Sequence, residues 1–143
     1  MNAIVIYESL TGNTRLTAEA IAAELRLSDV DTTVSKITEV NMQALSEADL
    51  VVVGSWTDGL ILFGHRPGRV GRLKNMPAID GKKAAVFCSY AINAGQTLDK
   101  MSAIVEGHGG EMLGGMAIKR TNIGEGAAEF VARLLGALDK NAA

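Results

Sequence analysis

Ala3-Ile4-Val5-Ile6-Tyr7, followed by Glu8-Ser9-Leu10-Thr11-Gly12-Asn13-Thr14, decides the fold. Five apolar residues in a row suit a strand buried on both faces. From Asn13 to about Leu27 the spacing changes: Leu16, Ala20, Ala23 and Leu27 recur at helical intervals, joined by Ile21 and Leu25. Between strand and helix stand three hydroxyls, Ser9, Thr11 and Thr14, with one glycine, Gly12. Free N–H groups and the positive end of the macrodipole make such a helix start an anion site. Ordinary capping is the plainer alternative, but one cap does not need three hydroxyls in six residues.

The alternation continues outward. Val30, Thr32 and Val34 alternate as in an edge strand, and Met42 to Glu47 suits a short helix. Leu50-Val51-Val52-Val53 and Ala84-Ala85-Val86-Phe87-Cys88 read as buried strands, the former ended by Gly54. Arg66 to Lys74 reads as a polar helix starting near Arg66, with Pro67 in its first turn. Leu98, Met101, Ile104 and Val105 mark another helix, Met112 to Ile118 a last strand, and Ala127, Val131, Leu134, Leu135 and Leu138 a closing helix. The expectation is one α/β domain over residues 1–143: a doubly wound five-stranded parallel sheet with helices on both faces. Ligands of such sheets bind at the strand carboxyl ends, which directs attention to the loops after Tyr7, Val53 and Cys88.

Composition narrows the functional classes. The 143 residues are 48% hydrophobic, enough for one core, and the formal net charge of −2 suggests no nucleic-acid partner. No apolar run reaches membrane-spanning length, and Met1-Asn2 leads straight into a strand with no basic leader. The lone Cys88 excludes an internal disulfide and suits a cytoplasmic setting. Walker-type G-x-x-x-x-G-K-[ST], G-x-G-x-x-G after the first strand and G-x-S-x-G are all absent. Six residues after Cys88 stands Ala94, where a phosphatase loop needs arginine, and Gly54-Ser55 offer no phospho-accepting acid. His65, His108 and Cys88 lack metal-ligand spacing, so no metal and no catalytic acid or base are expected.

Tyr7-x-Ser9-x-Thr11-Gly12-Asn13-Thr14 resembles the phosphate-binding signature of the flavodoxins. The resemblance extends in strand order over nearly the whole chain, and with no large insertion visible in the last strand the chain is similar to the short-chain members. It implies flavin mononucleotide (FMN), bound non-covalently with its phosphate at Ser9, Leu10, Thr11, Gly12, Asn13 and Thr14. Arg15 departs from the family, where an acidic or neutral residue is more usual.

The second loop, Gly54-Ser55-Trp56-Thr57-Asp58-Gly59, holds the only tryptophan. Trp56 stacks on a flat ligand or packs under a helix. The resemblance favours stacking, with Ser55 and Thr57 beside it. It also implies that the Asp58-Gly59 peptide can turn a carbonyl toward flavin N5. Leu60-Ile61-Leu62-Phe63 fills core, covers the dimethylbenzene edge or offers an apolar patch to a partner. In the third loop Ser89, Tyr90, Asn93 and Gly95 are candidates for the pyrimidine edge, Tyr90 as a second ring stacker or as packing.

From His65 to Lys83 lie Arg66, Arg69, Arg72, Lys74, Lys82 and Lys83 against one acid, Asp80. Flavodoxins are usually acidic. This segment therefore points to an acidic redox partner docking on Arg66, Arg69, Arg72 and Lys74, or to the 2′-phosphate of NADPH, with a solvated helix face as the plain alternative. The leading function is an electron-transfer flavoprotein serving redox partner proteins. The alternatives are an FMN-dependent NAD(P)H oxidoreductase acting on quinones and a flavin-free binding module of the same fold.

Overall fold

A computed structural model describes residues 1–10, 12–58 and 66–142. The expected alternation is present: β1 (Asn2–Tyr7), α1 (Asn13–Leu27), β2 (Asp31–Lys36), α2 (Met42–Glu47), β3 (Leu50–Asp58), β4 (Arg66–Pro67), α3 (Val70–Lys74), β5 (Lys83–Tyr90), α4 (Thr97–Gly107), β6 (Glu111–Lys119) and α5 (Ile123–Ala142). Five parallel strands lie in the order β2-β1-β3-β5-β6. The three inner strands carry the continuous apolar runs, and β2, with Thr32, Thr33 and Ser35, lies at an edge. At β6 the register slips past Leu113, which pairs with no β5 residue.

Alternate side chains go to opposite faces. Val5, Tyr7, Leu50, Val52, Ala85 and Phe87 pack with Ile21 and Leu25 of α1 and Phe130 and Leu134 of α5. Ile4, Ile6, Val51, Val53, Val86 and Cys88 pack with Leu45 of α2, Leu73 of α3, and Met101 and Val105 of α4. Both faces are thus covered, each fully buried aliphatic contributing roughly 1.5–3 kcal/mol.

Two expectations fail. Gly54 does not end its strand: β3 runs on to Asp58, so Trp56 sits in a strand extension rather than a loop. Gly54 instead makes room, since a Cβ there would lie 2.0 Å from the Phe87 ring. Nor does a helix begin near Arg66. Arg66–Pro67 pairs antiparallel with Thr57 and Asp58, and α3 starts only at Val70. Pro67 is tolerated there because a strand this short at the end of an extension leaves its missing N–H without consequence.

Candidate functional site

The strand order reverses between β1 and β3, and their carboxyl ends lie side by side. In open parallel sheets of this order, of which flavodoxins themselves are the usual example, ligands bind at that reversal. Two clefts open there, and Leu10 of the turn after β1 lines both.

The first cleft, of about 230 Å³, lies toward β5 and β6. It is lined by seven residues singled out from sequence: Leu10, Asn13, Thr14, Trp56, Thr57, Ser89 and Tyr90. The Thr14 and Ser89 hydroxyls are 2.8 Å apart and buried, tying the start of α1 to the end of β5. Ala91 and Arg120 complete the wall. Arg120 carried no motif. It arrives because its N–H donates to the Tyr90 carbonyl at 2.9 Å, a continuation of the β5–β6 ladder.

Trp56 is held from behind. Its carbonyl accepts from the Gly68 N–H at 2.8 Å, and a Cβ on Gly68 would lie 1.9 Å from the indole. Arg69 completes the support, its guanidinium carbon 5.7 Å from the ring centroid. Ser55 is fully buried, and its hydroxyl donates to the Gly68 carbonyl at 2.9 Å, so it latches the supporting segment instead of lining the cleft. The Thr57 hydroxyl is buried with no hydrogen-bond partner of regular geometry. It does lie against the Cys88 thiol, offsetting part of the burial that pushes that thiol up to about 11. Cys88 therefore stays protonated and inert near neutral pH.

The turn after β1 shapes the phosphate end. Gly12 is the residue before α1 and has φ +94, a left-handed conformation that glycine adopts without a Cβ penalty. No side chain of that residue caps the helix and no acid stands in its first turn, where Arg15 sits instead. The Ser9 hydroxyl accepts from the Gly12 N–H at 3.1 Å and the Arg15 N–H at 3.4 Å. It occupies donors that an anionic oxygen can take.

Ser9 and Gly12 line the second cleft, of about 320 Å³, toward β2. Glu8, the first residue of the turn after β1, is buried here. It accepts from Arg69 at 2.8 Å and from Arg72 at 3.1 Å. The basic segment is consequently not one face. Arg69 and Arg72 fold back on Glu8, while Lys82 donates to the Ala48 carbonyl and Lys83 pairs with Glu111 at the opposite end of the sheet.

Asn93 and Gly95 line neither cleft. Asn93 Oδ1 accepts from the Gly95 N–H at 2.9 Å and is spent inside its own turn. Thr11, Gly59, Leu60 to Phe63 and His65 lie outside the described residues, as do the side chains of Asp58 and Arg66. Among the described residues no group of His, Cys, Asp and Glu could hold a metal, and no helix is long and apolar enough to cross a membrane.

The residues present fit a flavin nucleotide. One cleft offers an aromatic face, and beside it opens a helix start with exchangeable N–H donors.

Comparison with known proteins gives the family and the fold. A family model described as a flavodoxin domain matches residues 4–108. A flavodoxin from Clostridium beijerinckii is 28% identical over 105 residues, covering 73% of this chain and 76% of its own. Among solved structures, oxidised flavodoxin 2 from Bacillus cereus superimposes with a TM-score of 0.71 at 21% identity, over 95% of this chain and 99% of that one. Two-electron reduced flavodoxin from Megasphaera elsdenii gives 0.67 at 21%, over 89% and 98%.

Proposed function

The chain belongs to the flavodoxin family, and we propose that it holds FMN non-covalently at the carboxyl edge of the sheet and passes electrons between protein partners. The observation that carries this is the Trp56 cleft beside the start of α1, whose N–H donors are held by the Ser9 hydroxyl, at the β1–β3 reversal. Bound FMN supplies one- and two-electron chemistry. The chain supplies the rest. Ser9, Leu10, Thr11, Gly12, Asn13 and Thr14 anchor the phosphate. Trp56 and Tyr90 flank the ring, Thr57 and Ser89 line the cleft beside it, and the Asp58-Gly59 peptide is the candidate to answer flavin N5. No proton-transfer residue is required. Titrating the flavin-free protein with FMN, and with riboflavin as the control lacking phosphate, tests this reading.

The redox partner we propose is acidic at its contact surface. Arg69 and Arg72 remain 39% and 47% exposed although paired, beside the tryptophan cleft. Charge there chiefly raises association rate, and salt screens it beyond ~8–10 Å. Stopped-flow electron exchange should be faster with an acidic protein than with a basic one, and salt should erase most of the difference. Equal rates at low salt would remove the acidic partner. The single cysteine, buried and protonated, suits a cytoplasmic setting.

A further inference from the structure

The geometry points to a second anion site in the cleft on the β2 side of the phosphate turn. We propose that it takes a phosphate or diphosphate group of a small molecule other than the flavin itself. Four cations line it, Arg15, Lys36, Arg69 and Arg72, against two acids, Glu8 and Glu39. One acid is already spent: Glu8, 5% exposed, holds both Arg69 and Arg72. Each of these arginines commits only Nη1 to it. A guanidinium carries five N–H donors, so most remain available on side chains that are still 39% and 47% exposed. Arg15 and Lys36 make no ion pair among the described residues.

The arginines are also fixed beforehand. Arg69 has φ +48, a left-handed conformation disfavoured for any residue with a Cβ. It is kept there by Glu8 on one side and the Trp56 ring on the other. Side chains ordered before binding lose little entropy on binding, and paired guanidiniums match phosphate oxygens bidentately. A recess of about 320 Å³ is at the small end of ligand pockets. A recess of that size takes a phosphorylated small molecule. The cleft shares Ser9, Leu10 and Gly12 with the flavin-phosphate turn, and it is set apart by Arg15, Lys36, Arg69 and Arg72, none of which lines the tryptophan cleft. That separation rests on the FMN reading.

The test titrates FMN-loaded protein with inorganic pyrophosphate, followed by calorimetry and by retention of the flavin absorbance. Saturable one-site binding with the flavin retained is expected. Arg72→Gln and Lys36→Gln should each weaken it by roughly tenfold, the effect of one charge-assisted hydrogen bond. Arg133→Gln removes the same charge from α5, outside both clefts, and should leave affinity unchanged. Absence of saturation would overturn the site. So would equal weakening by Arg133→Gln, which means bulk charge, or release of FMN by pyrophosphate, which means that the cleft belongs to the flavin phosphate. A chain that takes up no FMN would sink the flavin assignment alone. The pyrophosphate titration and its variants would then be read on the flavin-free protein.

Discussion

Phe87→Ala should lower the unfolding free energy by roughly 3–5 kcal/mol, the range for emptying a fully buried aromatic site. Phe87 has no exposure on β5 and lies between the covering helices and Gly54 of β3, with Phe130 of α5 at a ring centroid distance of 6.2 Å. Gly54→Ala approaches the same contact from the other side. Its Cβ would come within 2.5 Å of three Phe87 ring atoms, which cannot retreat because Phe130 stands close. Overpacking of this kind costs about 1–3 kcal/mol. The two changes should not add. In the Phe87→Ala background the alanine at position 54 enters the space the ring has left, and its cost should largely vanish. Denaturant unfolding of the two single variants and the double variant measures that coupling. Additive losses would mean that Gly54 does not owe its identity to Phe87.

Gly68→Ala should weaken FMN binding nearly as much as Trp56→Ala, though residue 68 lines neither cleft. The Trp56 variant loses a stacking surface worth about 1–3 kcal/mol, the ring's buried area included. The Gly68 variant keeps the indole but moves it. An alanine methyl 1.9 Å from the indole forces the ring off its support and into the cleft that the flavin needs. The latch from Ser55 to the Gly68 carbonyl and the ladder bond from Gly68 to Trp56 leave the backbone little freedom to yield. Tryptophan quenching and flavin affinity should therefore fall together in Gly68→Ala. Unchanged affinity with normal quenching would mean that the segment carrying Gly68 yields and that Trp56 is not fixed by it.

Most of the fold was legible because buried parallel strands announce themselves as apolar runs. Ile4 to Ile6 and Val51 to Val53 need no tertiary information to be read as strands. The phosphate turn was legible for a similar reason, since hydroxyls and glycine between strand and helix are a local pattern. What stayed hidden depends on residues far apart in the chain. Gly54 looks like a strand terminator until Phe87 is placed over it. Arg66–Pro67 looks like a helix start until the extended end of β3 offers it a partner. Glu8 looks like the end of a strand until Arg69 and Arg72, more than 60 residues away, fold onto it. Ser55 and Asn93 are polar residues in plausible loops, yet each is consumed by a backbone partner and does not face a ligand cleft. Local pattern gives residue chemistry, but it cannot give which donors and acceptors remain unspent after folding.

The central claim is that the start of α1 holds the phosphate of FMN while the neighbouring cleft holds its ring. Affinity of the flavin-free protein for FMN against riboflavin, at one fixed salt concentration, tests this most directly. Two or more charge-assisted hydrogen bonds at ~1.5 kcal/mol each predict FMN binding about a hundredfold tighter or better. Both ligands should still quench Trp56, because both carry the ring. Equal affinities for the two would contradict the account, leaving the hydroxyl-rich turn from Ser9 to Thr14 as no more than a helix cap.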